Sequence, residues 1–225
     1  MSAHSPLVSE VLFSLGPVPI TRPVVTTWAI MLLFALGARL ATRRLRLRDP
    51  GRLQVALESL VLGIVGQIEE VVQKDGRRLL PLLGSLFLFL LVANLSGVLP
   101  GTQAPTGTLE TPAALALIVF VSVHYYGIRS RGLLGYLGSF TKPKAIMLPL
   151  NVLAEITRTF SLMVRLFGNV MSGEFVIGLI LALAGLFVPI PLMALEILLG
   201  AVQAYIFTIL ATVFIGAAID VSQEQ

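Results

Sequence analysis

The chain has 225 residues, 56% of them hydrophobic and only 12% charged, with a formal net charge of +4 and a mean hydropathy of +0.92. Soluble domains carry about 25% charged residues, and several apolar runs here reach the ~20 residues that cross a hydrocarbon core of about 30 Å. Composition therefore excludes an ordinary soluble protein and indicates an all-α, polytopic integral membrane protein. The lack of cysteine excludes disulfides, thiol chemistry and cysteine-ligated metals. His4 and His124 are too far apart to form a ligand pair, so no metal or cofactor centre is expected.

The basic residues flank apolar spans, which is how membrane proteins fix their orientation; no nucleic-acid partner is expected. Residues 1–21 lack the basic start and apolar run of a cleavable signal and are expected to stay in the mature chain. A first span is predicted over 24–40, with Trp28 at the interface, followed by the cluster Arg39, Arg43, Arg44, Arg46, Arg48 and Arg52. After the Asp49-Pro50-Gly51 break, apolar residues recur at helical spacing among Gln and Glu over 52–73. That pattern predicts an amphipathic helix lying in the cytoplasmic interface. Lys74, Arg77 and Arg78 precede a second span over 79–99. The loop 100–111 carries no Lys or Arg, and a third span over 112–126 returns to Arg129, Arg131, Lys142 and Lys144. Two long helices follow, over 147–184 and 191–220, joined by an uncharged turn.

The expected architecture is a single membrane domain over 1–225, with five crossings plus the interfacial helix, N-terminus outside and C-terminus inside. Every Lys/Arg cluster then lies on one side and only Arg22 lies outside. The fourth span is too long for the bilayer: ~1.5 Å per residue takes it past 50 Å, and ordinary tilts near 20° do not absorb the excess. It either breaks near Gly168 or Gly173, slants steeply along a neighbour, or extends into water.

Ionisable groups at mid-bilayer cost at least ~2.5–3.5 kcal/mol each and default to functional hypotheses. They concentrate in the last two helices: Glu155, Arg158, Arg165, Glu174 and Glu196, with Asn151, Asn169 and Gln203. At about 100° per residue, Asn151, Glu155, Arg158, Arg165, Asn169 and Ser172 share one stripe, and Leu162 is assigned to the Arg165 face. Glu174 lies on the opposite side, because nine residues turn a helix by about 180°. Glu196 and Gln203, seven apart, share a face, and a hairpin centred near Gly185 brings Glu174 and Glu196 to similar depth. Glu155 and Arg158, three apart, read equally well as an interfacial ion pair or part of an access path. Arg165 has no acidic residue within four positions.

The run Arg165-Leu166-Phe167-Gly168-Asn169 followed by Ser172-Gly173-Glu174 resembles the signature of subunit a of bacterial F-type, rotary ATP synthases. Further matches are residues 11–13, 19–21 and 27–28, the stretch Asn94-Leu95-Ser96-Gly97-Val98-Leu99-Pro100, Pro149 through Glu155, and Gln203 to Phe207. The resemblance implies a stator subunit without a catalytic site of its own, in the bacterial plasma membrane, with its two long, tilted C-terminal helices packed against a ring of c subunits. It also implies a peripheral stalk subunit b and a soluble ATPase head as partners. Arg165 takes the place of the stator arginine, with Asn169 one turn on. Glu174 takes that of the outer-channel acid, and Gln203 that of the glutamine facing the arginine. Asn151, Glu155 and Arg158 lie near the inner half-channel. Glu196 stands where many relatives have histidine, and the Asn94 stretch lacks an acid that some relatives carry. Two carboxylates without imidazole, with the N-terminal pattern, lean toward an alternate, sodium-linked branch; the transported ion is H⁺ or Na⁺. The rival reading is a secondary ion transporter or channel unrelated to a rotary motor, which would usually show paired inverted repeats; none is visible. Nor is there a nucleophile–base or His-Glu-x-x-His pattern of an intramembrane hydrolase.

Overall fold

The structure, a computed structural model, describes residues 11–15, 18–43, 51–72, 76–97, 104–140, 148–185 and 187–220. His4, Arg44, Arg46, Arg48, Asp49, Pro50, Lys74, Pro100, Lys142, Lys144 and Met147, which mark boundaries above, lie outside them.

The all-α expectation needs one correction. Strands β1 (Val11–Leu15) and β2 (Val18–Thr21) pair antiparallel, Val11 with Thr21 and Leu15 with Val18, with an irregularity between Val11 and Phe13. A two-stranded ribbon has no inner strand, so Pro19 removes no buried ladder bond. Extended Thr21 leads directly into α1 (Arg22–Thr42), with a proline in its first turn, where a missing N–H costs nothing. Trp28, Met31, Leu32, Leu33, Leu36 and Leu40 are exposed along α1, whereas Pro23 and Ile30 are buried.

Helix α2 (Arg52–Val72) divides in two. Its first half exposes Val55, Leu57, Leu60, Val61 and Leu62, whereas Val65, Ile68 and Val72 dock its second half on the core. The Tyr205 hydroxyl donates to Gln67 Oε1 at 2.7 Å across that contact. A 3₁₀ turn, Gly76–Arg78, presses against Ile68, so close that a Cβ on Gly76 would lie 2.8 Å from its Cγ2. Helix α3 (Leu80–Ser96) follows, burying Leu83, Leu86, Leu90 and Ala93 on one face. Its 17 residues span about 26 Å. A buried 3₁₀ turn, Pro105–Gly107, covers the end of α3 and leads into α4 (Glu110–Phe140).

Helical hydrogen bonding in α4 runs past the expected end of the third span at Tyr126. Arg129 is still on the helix, one turn from Tyr125, whose hydroxyl accepts from its guanidinium at 2.8 Å. The chain turns only at Gly132, at φ 74°, a conformation that side chains disfavour. Beyond it Tyr136 is buried, with its ring on bare Gly127 and edge-on to His124 at 5.8 Å. His124 itself bonds the Phe120 carbonyl at 2.8 Å, a structural role.

Helix α5 (Leu148–Ala184) is continuous over 37 residues, so the chain does not break at Gly168 or Gly173. A glycine costs a helix about 1 kcal/mol relative to alanine, too little to interrupt a run of good helix formers. Gly185, at φ 80°, ends it. Helix α6 (Ile190–Asp220) is the hub, with Ala204, Phe207, Ala211 and Ile215 wholly buried against α2, α3, α4 and α5. Lipid is as apolar as leucine, so these helices are held by close packing rather than by exclusion of water. Small residues allow it: a Cβ on Gly200 would sit 3.0 Å from Asn94 Cβ. Among the described residues, α1, the first part of α4, α5 and α6 are long and apolar enough to cross a membrane, and α3 is shorter.

Candidate functional site between the last two helices

Four of the five residues singled out for ion handling gather where α5 meets α6 and the Pro105–Gly107 turn. Asn169 Nδ2 donates to Gln203 Oε1 at 2.7 Å, joining the two helices through side-chain amides. Gln203 is only 2% exposed, and its Nε2 is buried without a partner. A cavity of about 230 Å³ opens beside this pair. Asn94, Asn169, Ser172, Glu196 and Gln203 supply its polar lining, and Val170, Val176, Ile177, Leu195 and Leu199 its apolar walls.

Glu196 points across this cavity onto α5. Its carboxylate rests on the backbone at Gly173, where an added Cβ would lie 2.9 Å from its Cδ. Glu174, the next residue, leaves α5 on another side and meets the Pro105–Gly107 turn. The Ala104 N–H donates to Glu174 Oε1 at 3.1 Å. The other oxygen faces bare backbone, since a Cβ at Gly107 would stand 2.9 Å from Oε2. Gly97 is similarly close, with its hypothetical Cβ 3.2 Å from Oε1. The two carboxylates thus lie at the same stretch of α5, one against the backbone of residue 173 and the other on residue 174.

Arg165 stands apart. It is exposed on the outward face of α5, with Ser161, Gly168 and Ser172 also exposed there. No described residue forms an ion pair or hydrogen bond with it. Among the described residues Gln203 pairs with Asn169, one turn along α5 from Arg165, and its oxygen keeps a second lone pair. Leu162 is corrected: it is 2% exposed and points into the core with Leu166. Three residues rotate a helix by about 300°, which puts Leu162 over the edge of the Arg165 face.

Toward the start of α5, Glu155 and Arg158 form an ion pair at 3.6 Å, with the Arg158 guanidinium 5.7 Å from the Phe214 ring. Asn151 is half-buried on the same helix. This group is separated from Arg165 by up to about 20 Å of helix and does not join the cavity. Sequence reasoning met Asn94 and Gly173 only within family-like stretches, with Gly173 also a possible helix break, and did not single out Thr106. Asn94 was visible as a lone amide ending an apolar run; nothing near Thr106 in the chain marked it.

Carboxylates and amides lined up inside a helical bundle, beside a cation with no partner among the described residues, define an ion-transporting membrane protein. Residues 24–216 match the family described as ATP synthase A chain, and the chain belongs to that family. It is 71% identical to ATP synthase subunit a 2 of Bradyrhizobium sp. (strain BTAi1), over 96% of each chain. It is 50% identical to ATP synthase subunit a 2 of Pelobacter propionicus, over 94% of this chain and 92% of that one. With ATP synthase subunit a 1 of Hahella chejuensis the identity is 47%, over 94% and 89%.

Proposed function

We propose that this chain is the stator subunit a of the membrane sector of a rotary ATP synthase, carrying no catalytic site and offering a cation two offset half-channels. The carrying observation is Arg165, exposed mid-helix on α5 without a counter-ion among the described residues, one turn from the Asn169–Gln203 pair. An unpaired guanidinium facing hydrocarbon is costly, so a partner must supply its acid. A c-subunit ring whose carboxylates pass this face fits that need. Peripheral stalk subunit b and the soluble ATPase head complete the partners, in a bacterial plasma membrane, with N-terminus outside and C-terminus cytoplasmic over five crossings.

An ion enters from outside past Glu174 and Glu196, moves along the cavity toward Asn169 and Gln203, and neutralises a ring carboxylate. It leaves on the inner side near Asn151 and the Glu155–Arg158 pair. Arg165 stands between the two paths. Its charge favours the ionised ring carboxylate and repels a cation that would leak straight through. Guanidinium suits the position because it does not deprotonate in proteins. Each ion brings about 2.3 kcal/mol per 100 mV of membrane potential.

The test is ATP-driven uptake by the complete complex in vesicles, with and without Na⁺ and a protonophore, which also separates H⁺ from Na⁺ coupling. Arg165→Ala is expected to abolish uptake and synthesis while the complex still assembles, and Arg165→Lys to retain little, since lysine sheds its proton in low dielectric. Normal coupled synthesis in Arg165→Ala overturns the proposal.

A further inference from the structure

We propose that Asn94 and Thr106 are positioning residues that hold the Glu174 carboxyl at a fixed place relative to α6; this rests on the reading of Glu174 as part of the outer path. Asn94 lies in the last turn of α3, a helix fixed by its buried leucines, and is 6% exposed. Its Nδ2 donates to the Gly200 carbonyl on α6 at 2.9 Å. Its Oδ1 accepts from Thr106 Oγ1 at 2.8 Å, and Thr106 is fully buried. Thr106 sits in the turn whose Ala104 N–H holds Glu174 on α5. One side-chain amide thus joins α3, the external turn and α6, and the turn passes that restraint to α5.

The chemistry at each joint requires these residue types. A helical carbonyl keeps a second lone pair after its ladder bond, and Asn94 reaches it because Gly200 has no side chain. Asparagine offers a donor to α6 and an acceptor to the turn at once, which neither a carboxylate nor an aliphatic residue of that size does. Gly200 is one helical turn beyond Glu196 on the same face of α6, so the pin that fixes Gly200 also sets the height of Glu196. Glu174 is held by the other end of the same chain of contacts. The spacing between the two acids is therefore controlled by residues that bear no charge.

The experiment uses the assembled complex and reads the initial rate of ATP-driven ion uptake per assembled complex. Thr106→Val keeps shape and removes the hydroxyl; it is expected to slow uptake roughly three- to tenfold, the worth of one hydrogen bond. Thr106→Ser restores the hydroxyl and should recover the rate to within about twofold. In a Glu174→Gln background, Thr106→Val should add no further loss. Full additivity of the two substitutions, or no effect of Thr106→Val in the parent chain, overturns the positioning role and leaves the outer path standing. No effect of Glu174→Gln alone instead sinks the outer path, and this inference with it. Should Thr106→Val fail to assemble, Gly107→Ala leaves the pin intact and places a methyl 2.9 Å from Glu174 Oε2. It should slow uptake in the parent chain and not in a Glu174→Ala background; equal slowing in both overturns the proposal.

Discussion

At position 173 the site depends on a missing side chain. The Glu196 carboxylate occupies the volume that a Cβ on Gly173 would need, and the backbone there is helical, so alanine would improve helix propensity by about 1 kcal/mol. Gly173→Ala should therefore leave the helix intact and displace the acid. A side chain forced off its rotamer by ~30° costs about 0.5–1.5 kcal/mol, and ATP-driven uptake is expected to fall up to roughly tenfold. Glu196→Asp, one methylene shorter, should recover part of the rate in the same chain; a Gly173→Ala complex pumping at the parent rate would show that this carboxylate is not on the path. Arg165 stands out in the sequence because, unlike Arg158, it has no acidic residue within four positions in an apolar helix, and seeing that needs no knowledge of the fold. Asn94 and Thr106 do not stand out. Their partners stand 106 and 12 residues away, and a polar residue at the end of a span looks solvated until the chain is folded over it.

Helix α5 was legible as an element because its apolar run is long, and its uninterrupted course settles one of the alternatives that length posed. Which side chains share its outer face was less so. A stripe drawn at 100° per residue has soft edges, and Leu162 fell on the wrong side of one. Its burial with Leu166 and Val170 shows that the core takes the flank next to the arginine. Single cysteines at Ser161 and Gly168, both exposed beside Arg165, are expected to crosslink to cysteines placed near the ring carboxylate. A cysteine at Leu162 should not. Crosslinking at 162 with none at 161 and 168 would mean that another face meets the ring. The return of α4 at Gly132 was hidden for a different reason. Only the positive φ of that glycine and the seat of Tyr136 on Gly127 define it, and glycine-rich stretches carry no periodicity.

Across the whole molecule, the charge pattern and the packing agree on which helix ends lie together. The Tyr126 hydroxyl reaches the Arg78 carbonyl at 3.5 Å, so the basic start of α3 adjoins the basic end of the α4 span. The Pro105–Gly107 turn lies at the other end, near the start of α1. With the orientation proposed above, a cysteine at Leu109 should react with an impermeant maleimide added outside intact cells. One at Arg78 should react only after permeabilisation, and the reverse pattern would invert the topology. The turn between α5 and α6 has a consequence for how the chain is made. Residues 185–190 carry no charge, and Phe187 and Val188 are exposed at the tip. Nothing there resists passage into lipid, so α5 and α6 can enter the bilayer as one closed hairpin rather than as two separate threads. In that hairpin Glu196 already lies against the backbone of α5 and Asn169 already holds Gln203. Glu196, Asn169 and Gln203 would thus carry their contacts with them on the way in, during biosynthesis, while Arg165 would wait for a neighbouring subunit.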